Sequence, residues 1–305
     1  MKKNVLLLLL LLAGCAVDER NNIDDVSESY QAVYITVTAS VDEVVETRGI
    51  PVNAVSQMDD LGLFCSYSGD ALWDYTSNIP DKIYNMMMVR NAQTGSWDYF
   101  DTSVPWDNAT AADNYTFFAY APYAKTKNGI TVTSSANTAG IPALRYTVPP
   151  IVQDQPDLML AVPKENIHPT GHPVDLRMRH ALTAVGFMVY GYGTVTAISV
   201  TGVHVGGDLL MDGSNIVWSI ASGSVTALDF TASILGNSFT ADSETPQNLL
   251  ADDGYLMMIP QTLTEEAKVN ITINGVTKAL ELHLATPQWQ AGKKVIYSIN
   301  LSPGL

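Results

Sequence analysis

The chain is short of cysteine, of positive charge and of long apolar runs, and each shortage removes a class of explanation. Only Cys15 and Cys65 occur among 305 residues. A disulfide-stapled scaffold is therefore excluded, and the fold must rest on its core, which a chain of this length can build. Lysine and arginine number 16 against 31 acidic residues, and a surface that acidic does not hold nucleic-acid phosphates. The unbroken apolar run Val5 to Leu12 has eight residues, far short of the ~20 that span a bilayer as a helix. Catalytic signatures are missing too: there is no His-Glu-x-x-His, no Walker loop and no Gly-x-Ser-x-Gly. His168 and His172 have i,i+4 spacing, but Pro169, Gly171 and Pro173 break any helix there, so a loop is expected rather than a metal site. His180 is expected to make a structural hydrogen bond. Asp59-Asp60 and Asp252-Asp253-Gly254 lack EF-hand spacing and read as turns. No enzyme activity, cofactor or metal is expected.

What is present begins with residues 1–14. Lys2 and Lys3 precede the apolar run, which ends in Leu12-Ala13-Gly14-Cys15. This resembles a bacterial lipobox: small residues fit a peptidase pocket, and the Cys15 thiol supplies the atom to be acylated. The expectation is cleavage between Gly14 and Cys15, with the lipid on Cys15 holding the chain to the outer membrane. An ordinary signal peptide that happens to contain cysteine is the plainer alternative. Losing Lys2 and Lys3 takes the net charge from −15 to −17. Residues 15–29, with Asp18, Glu19, Asp24, Asp25 and Glu28, read as a flexible tether. Acidic residues just after a lipidated cysteine also resemble the surface-export signal of Bacteroidetes lipoproteins, although a solvated linker explains them nearly as well.

Strand patterns dominate the remainder. Val33, Ile35, Val37, Ala39 and Val41 alternate with Tyr34, Thr36, Thr38 and Ser40, the period of a half-buried strand. Further strands are expected at 115–120, 130–133, 184–190, 194–205, 255–259 and 269–273. Asn274-Gly275 turns into a hairpin partner at 276–284, and Val295, Tyr297, Ile299 and Leu301 share one face of the last strand. Gly191-Tyr192-Gly193 reads as a turn. Cys65, in an apolar strand-like run, reads as a buried and inert thiol. Helical periodicity is scarce. Short strands punctuated by turns indicate an all-β chain of two β-sandwich domains in tandem. The boundary is expected in the Pro- and Gly-rich stretch 162–173, giving domains 30–168 and 169–305. Trp73, Tyr75, Trp97, Tyr99, Phe100 and Trp106 crowd the first half. Packing explains them more cheaply than a sugar-binding platform.

Four segments together carry a resemblance. They are Phe117-Phe118-Ala119-Tyr120-Ala121-Pro122-Tyr123; Tyr146-Thr147-Val148-Pro149 with Gln155-Pro156-Asp157-Leu158-Met159; Val174 to Leu182; and Trp289-Gln290-Ala291-Gly292 with Tyr297-Ser298-Ile299. With the lipobox and Arg48 they run in order along nearly the whole chain, which resembles the fimbrillin family of Bacteroidales, subunits of protease-assembled pili and their accessory proteins. The resemblance implies transthyretin-like topology in both sandwiches. It also implies an assembly route in which a trypsin-like protease cuts after an arginine following the first strand, that strand leaves, and a neighbouring subunit's strand takes its place. Here the matching bond is Arg48-Gly49, and the displaced strand would carry Val33, Ile35, Val37 and Val41. A solvated loop arginine is the plain alternative for Arg48. Burying those four side chains would contribute roughly 6–12 kcal/mol, comparable to a domain's whole stability of about 5–15 kcal/mol.

After the last strand come Ser302-Pro303-Gly304-Leu305, which do not extend a ladder. Stalk subunits of the family that this chain resembles carry extra C-terminal strands that serve as donors, so the resemblance implies a tip or accessory subunit that receives a strand and contributes to adhesion. Its expected partners are other pilin subunits, the processing protease, the outer membrane through the lipid, and a host or bacterial surface ligand. The alternative is a surface glycan-binding or anchor lipoprotein that never polymerises.

Overall fold

The structure, a computed structural model, describes residues 33–41, 54–106, 111–220, 223–234, 236, 238–251 and 254–302. Among them are strands and short 3-10 turns and no α-helix. The first strands are β1 (Val37–Val41), β2 (Asp60–Gly69), β3 (Ile83–Arg90), β4 (Trp97–Tyr99), β5 (Asn114–Ala121), β6 (Ile130–Val132) and β7 (Leu144–Thr147). Next come β8 (Met159–Ala161), β9 (Lys164–Ile167), β10 (Val174–His180), β11 (Thr183–His204), β12 (Gly206–Asp212), β13 (Asn215–Ser219) and β14 (Val225–Asp229). The last are β15 (Phe239–Asn248), β16 (Leu256–Met258), β17 (Gln261–Thr262), β18 (Lys268–Ile273), β19 (Val276–Glu281), β20 (Gln288–Trp289) and β21 (Lys294–Asn300).

The first sheet runs β1-β10-β8-β5-β2-β3-β4, with β9 beside β5. Both of its faces are covered. On one, alternate residues Leu61, Leu63 and Cys65 of β2 and Tyr115, Phe117 and Ala119 of β5 pack with Leu176 and Met178 of β10. On the other, Phe64, Phe118, Tyr120 and Leu160 join the core that holds Phe187, Val189 and Trp289. Double coverage explains why β5 is buried at every position and why its sequence is unbroken apolar from Phe117 to Ala121.

A second sheet is organised by the 22-residue β11, which pairs with β14, β15, β16, β18 and β21. The expected pair of strands, 184–190 and 194–205, is one strand. Gly191, at φ +89, makes a bulge where the register with β15 shifts, instead of a turn. The hairpin of β18 and β19 turns through Asn274 and Gly275 at φ +50 and +82, the doubly positive pair a tight two-residue hairpin requires.

The expected boundary at 168/169 is also corrected. The Pro- and Gly-rich stretch is only a loop between β9 and β10, and β10 completes the first sheet by pairing with β8 and β1. The chain crosses to the second sheet after it, at Ala181-Leu182. The halves interleave as well, because β6 and β7 form a third sheet with β12 and β13.

Candidate functional site: the seam strand

The first strand is the edge of its sheet and pairs parallel with β10, from Val37 opposite Val174 to Val41 opposite Met178. Just before β1 the chain changes neighbours. Tyr34 bridges antiparallel to Pro105. The Ile35 N–H donates to the Val104 carbonyl and the Trp106 N–H to the Val33 carbonyl, both at 2.9 Å, while Val174 N–H donates to Thr36 carbonyl at 2.8 Å. The segment 33–41 is thus a seam. Its beginning is tied to the chain that follows β4, at one end of the sheet, and its remainder to β10, at the other.

Burial along the seam is uneven. Ile35 and Val37 are 0% and 4% exposed, whereas Val33 is 57% exposed. Ala39 and Val41 are half-buried against the same core. Strict alternation placed Val33 inward. The structure leaves its side chain exposed while its carbonyl accepts the Trp106 N–H. The apolar contribution therefore comes mainly from two side chains, roughly 3–6 kcal/mol, instead of four. Tyr99 and Trp106, which form the far wall with Val104, were legible only as aromatic content, and Val104 gave no signal. The available signal was Pro105: lacking an N–H, it fits an edge position. Burial raises the Tyr99 phenol well above its ordinary range, so it stays a neutral donor to the Ile35 carbonyl at 2.8 Å.

The resemblance segments brace the sheet behind this seam. Gly62 lies under the Tyr120 ring, where a Cβ would come within 2.2 Å of Cε1. Tyr120 donates to Asn85 Oδ1 at 2.7 Å, and Asn85 itself sits at φ +45. Asp60 opens β2 and is 4% exposed, which corrects its reading as a turn residue. It accepts the Tyr123 N–H at 2.7 Å and forms an ion pair with Lys125. At the end of β10, His180 Nδ1 lies 2.9 Å from the Asp157 carboxylate, both side chains buried, which is the structural hydrogen bond expected of it.

Of the aromatics, Trp97 and Trp106 are buried, while Tyr75 and Phe100 are exposed. Cys65 is fully buried, and burial followed by the Asp81 charge raises its thiol pKa. His168 Nδ1 lies 3.0 Å from the Asp113 carbonyl, and no group of three metal-ligating side chains forms among the described residues. Gly14, Cys15, Arg48, Gly49, Asp252 and Asp253 lie outside the described residues, and no helix among those described is long and apolar enough to cross a membrane.

Comparison with known proteins fits this architecture. A solved fimbrial protein from Bacteroides vulgatus superposes with a TM-score of 0.61 at 18% identity, over 87% of this chain and 95% of its own. Two solved proteins named for cell adhesion, from Bacteroides uniformis and Bacteroides ovatus, give TM-scores of 0.55 and 0.56 at 15% identity. They cover 88% of this chain and 93% and 92% of their own. At such identities the likeness is one of fold. No curated protein matches the chain. The model of the fimbrillin-like family matches residues 47–305, most of the sequence, and the chain belongs to that family.

Proposed function

We propose that the protein is a fimbrial subunit, exported as a lipoprotein on Cys15 and assembled when a trypsin-like protease cuts Arg48-Gly49 and frees the seam strand for exchange. The observation that carries this is the position of β1. With the residues leading into it, β1 forms an edge segment, 33–41, bonded first to 104–106 and then to β10, which fills the core with only two buried side chains, Ile35 and Val37. Its departure would leave a slot lined by backbone donors, acceptors and apolar surface, the site that strand addition uses. The remaining strands of the sheet keep their pairings. Family membership supports partnership with other pilin subunits and a place at the cell surface or in a fimbrium. The role is structural and adhesive, with no catalytic step. The role taken here is that of a tip or accessory subunit that receives a strand.

The test is N-terminal sequencing of protein purified from cell surfaces. A start at Gly49 is the expected result. A blocked start at acylated Cys15 throughout the population would contradict processing and favour a lipoprotein that does not polymerise.

A further inference from the structure

The seam slot is asymmetric along its length, and that asymmetry has consequences for whatever fills it. Resting on the strand-exchange reading above, we infer that the slot is direction-coded. It admits an extended segment of another pilin subunit only in the polarity of β1, parallel to β10, with large aliphatic side chains at the positions of Ile35 and Val37 and a small one at Ala39.

The backbone supplies the first half of the code. Val104 and Trp106 offer one acceptor and one donor, to the N–H of residue 35 and the carbonyl of residue 33. Pro105 between them has no N–H, so that wall offers no further donor in between. One residue later the sequence of partners changes sides: the carbonyl of Thr36 takes the Val174 N–H, and the parallel ladder of β10 begins. The occupant therefore makes antiparallel bonds through residues 33 and 35 and, from the carbonyl of residue 36 onward, parallel bonds along β10. A reversed segment would have to do the opposite at each wall. Parallel and antiparallel ladders space and slant their bonds differently, so reversal strands buried groups such as the Val174 N–H, and a stranded group is costly. Tyr99 adds a third fixed point, since its hydroxyl needs a carbonyl where Ile35 presents one.

Side chains supply the second half. A slip of two residues preserves the inward face. Sliding the segment toward 104–106 by two positions would put Val37 where Ile35 sits and Ala39 where Val37 sits. The position now filled by Val37, 4% exposed, would then hold a methyl group and a void. Val33, at 57% exposed, contributes backbone and no apolar packing, so its side chain is free to vary.

The test uses the mature chain, residues 15–305, nicked at Arg48-Gly49, with labelled nonapeptides offered in excess. One reproduces Val33–Val41. A second has the same residues in reverse order, so that if it bound backwards each side chain would meet its own site. Three more carry Val33→Asp, Ile35→Asp or Val37→Asp. Mass spectrometry of the recovered body reads which peptide has replaced the native strand. The expected result is exchange by the native and Val33→Asp peptides to within about twofold, with the reversed, Ile35→Asp and Val37→Asp peptides roughly tenfold or more weaker. Equal exchange by the reversed peptide, or equal losses from Val33→Asp and Ile35→Asp, would overturn the code and leave strand exchange standing. Failure of every peptide, the native one included, would overturn strand exchange itself and the code with it.

Discussion

Tyr99 donates its phenolic hydrogen to the Ile35 carbonyl at 2.8 Å, joining positions 64 residues apart. That bond connects β4, at one end of the first sheet, to the segment leading into β1, at the other. Removing it tests whether the seam is an independent unit. Tyr99→Phe should lower stability by about 1 kcal/mol and should speed hydrogen exchange at 35–41 more than in β11. Equal acceleration in both places would mean that the seam opens only with the whole fold.

Packing along the seam should be as uneven as its exposure. Ile35→Ala removes a fully buried side chain and should cost about 2–5 kcal/mol. Val33→Ala, at a solvent-facing position, should stay within about 0.5 kcal/mol. Urea unfolding of the mature chain measures both, and equal costs would contradict the burial seen here.

Gly62 and Tyr120 should behave as a coupled pair. Gly62→Ala introduces a Cβ at 2.2 Å from the ring and should cost about 1–3 kcal/mol through overpacking. Combined with Tyr120→Leu, the same change should cost less than it does alone, giving a coupling energy of about 0.5 kcal/mol or more in a double-mutant cycle. Strict additivity would show that the ring has room to move aside.

The fold should weaken in alkali, and the sign follows from burial. Desolvation raises the Cys65 thiol and the phenols of Tyr99, Tyr120 and Tyr146. Above the unfolded pKa the native state retains protons that the unfolded chain has released, so stability is complete below that value and falls as pH rises past it. Urea midpoints should be level up to about pH 8.5, where an unfolded thiol ionises, and should decline more steeply above about pH 10 as unfolded tyrosines follow. Each group contributes up to about 1.4 kcal/mol per pH unit. Cys65→Ala should remove the first decline and leave the second. A flat profile through pH 11 would contradict the burial of these groups.

Much of this architecture was legible because local pattern and tertiary role agree. The hairpin at Asn274-Gly275, the buried run of β5 and the inward face of Tyr297, Ile299 and Leu301 all follow from residue type and period. The misreadings share a different cause. Val33 obeys the alternation of its strand, yet alternation does not say which positions a wall covers, and the wall facing this segment comes from residues 104–106. Asp60 resembles a turn residue until Tyr123, 63 positions away, supplies its N–H and Lys125 its charge. Pro169, Gly171 and Pro173 mark a loop, and nothing local distinguishes a loop between domains from one between two strands of the same sheet. Gly191 reads as a turn because a long strand on either side of it can be recognised only through the five strands that pair with β11. The slot's two walls were out of reach for the same reason: each is formed by residues distant from β1 in sequence.

The central claim is that the seam strand can leave while the rest of the fold remains. The direct measurement is a denaturant titration of the mature chain nicked at Arg48-Gly49, following retention of the N-terminal fragment by size exclusion and near-ultraviolet circular dichroism of the body in parallel. Loss of the fragment at a urea concentration that leaves the aromatic signal intact is the predicted result. Coincidence of the two transitions would contradict it.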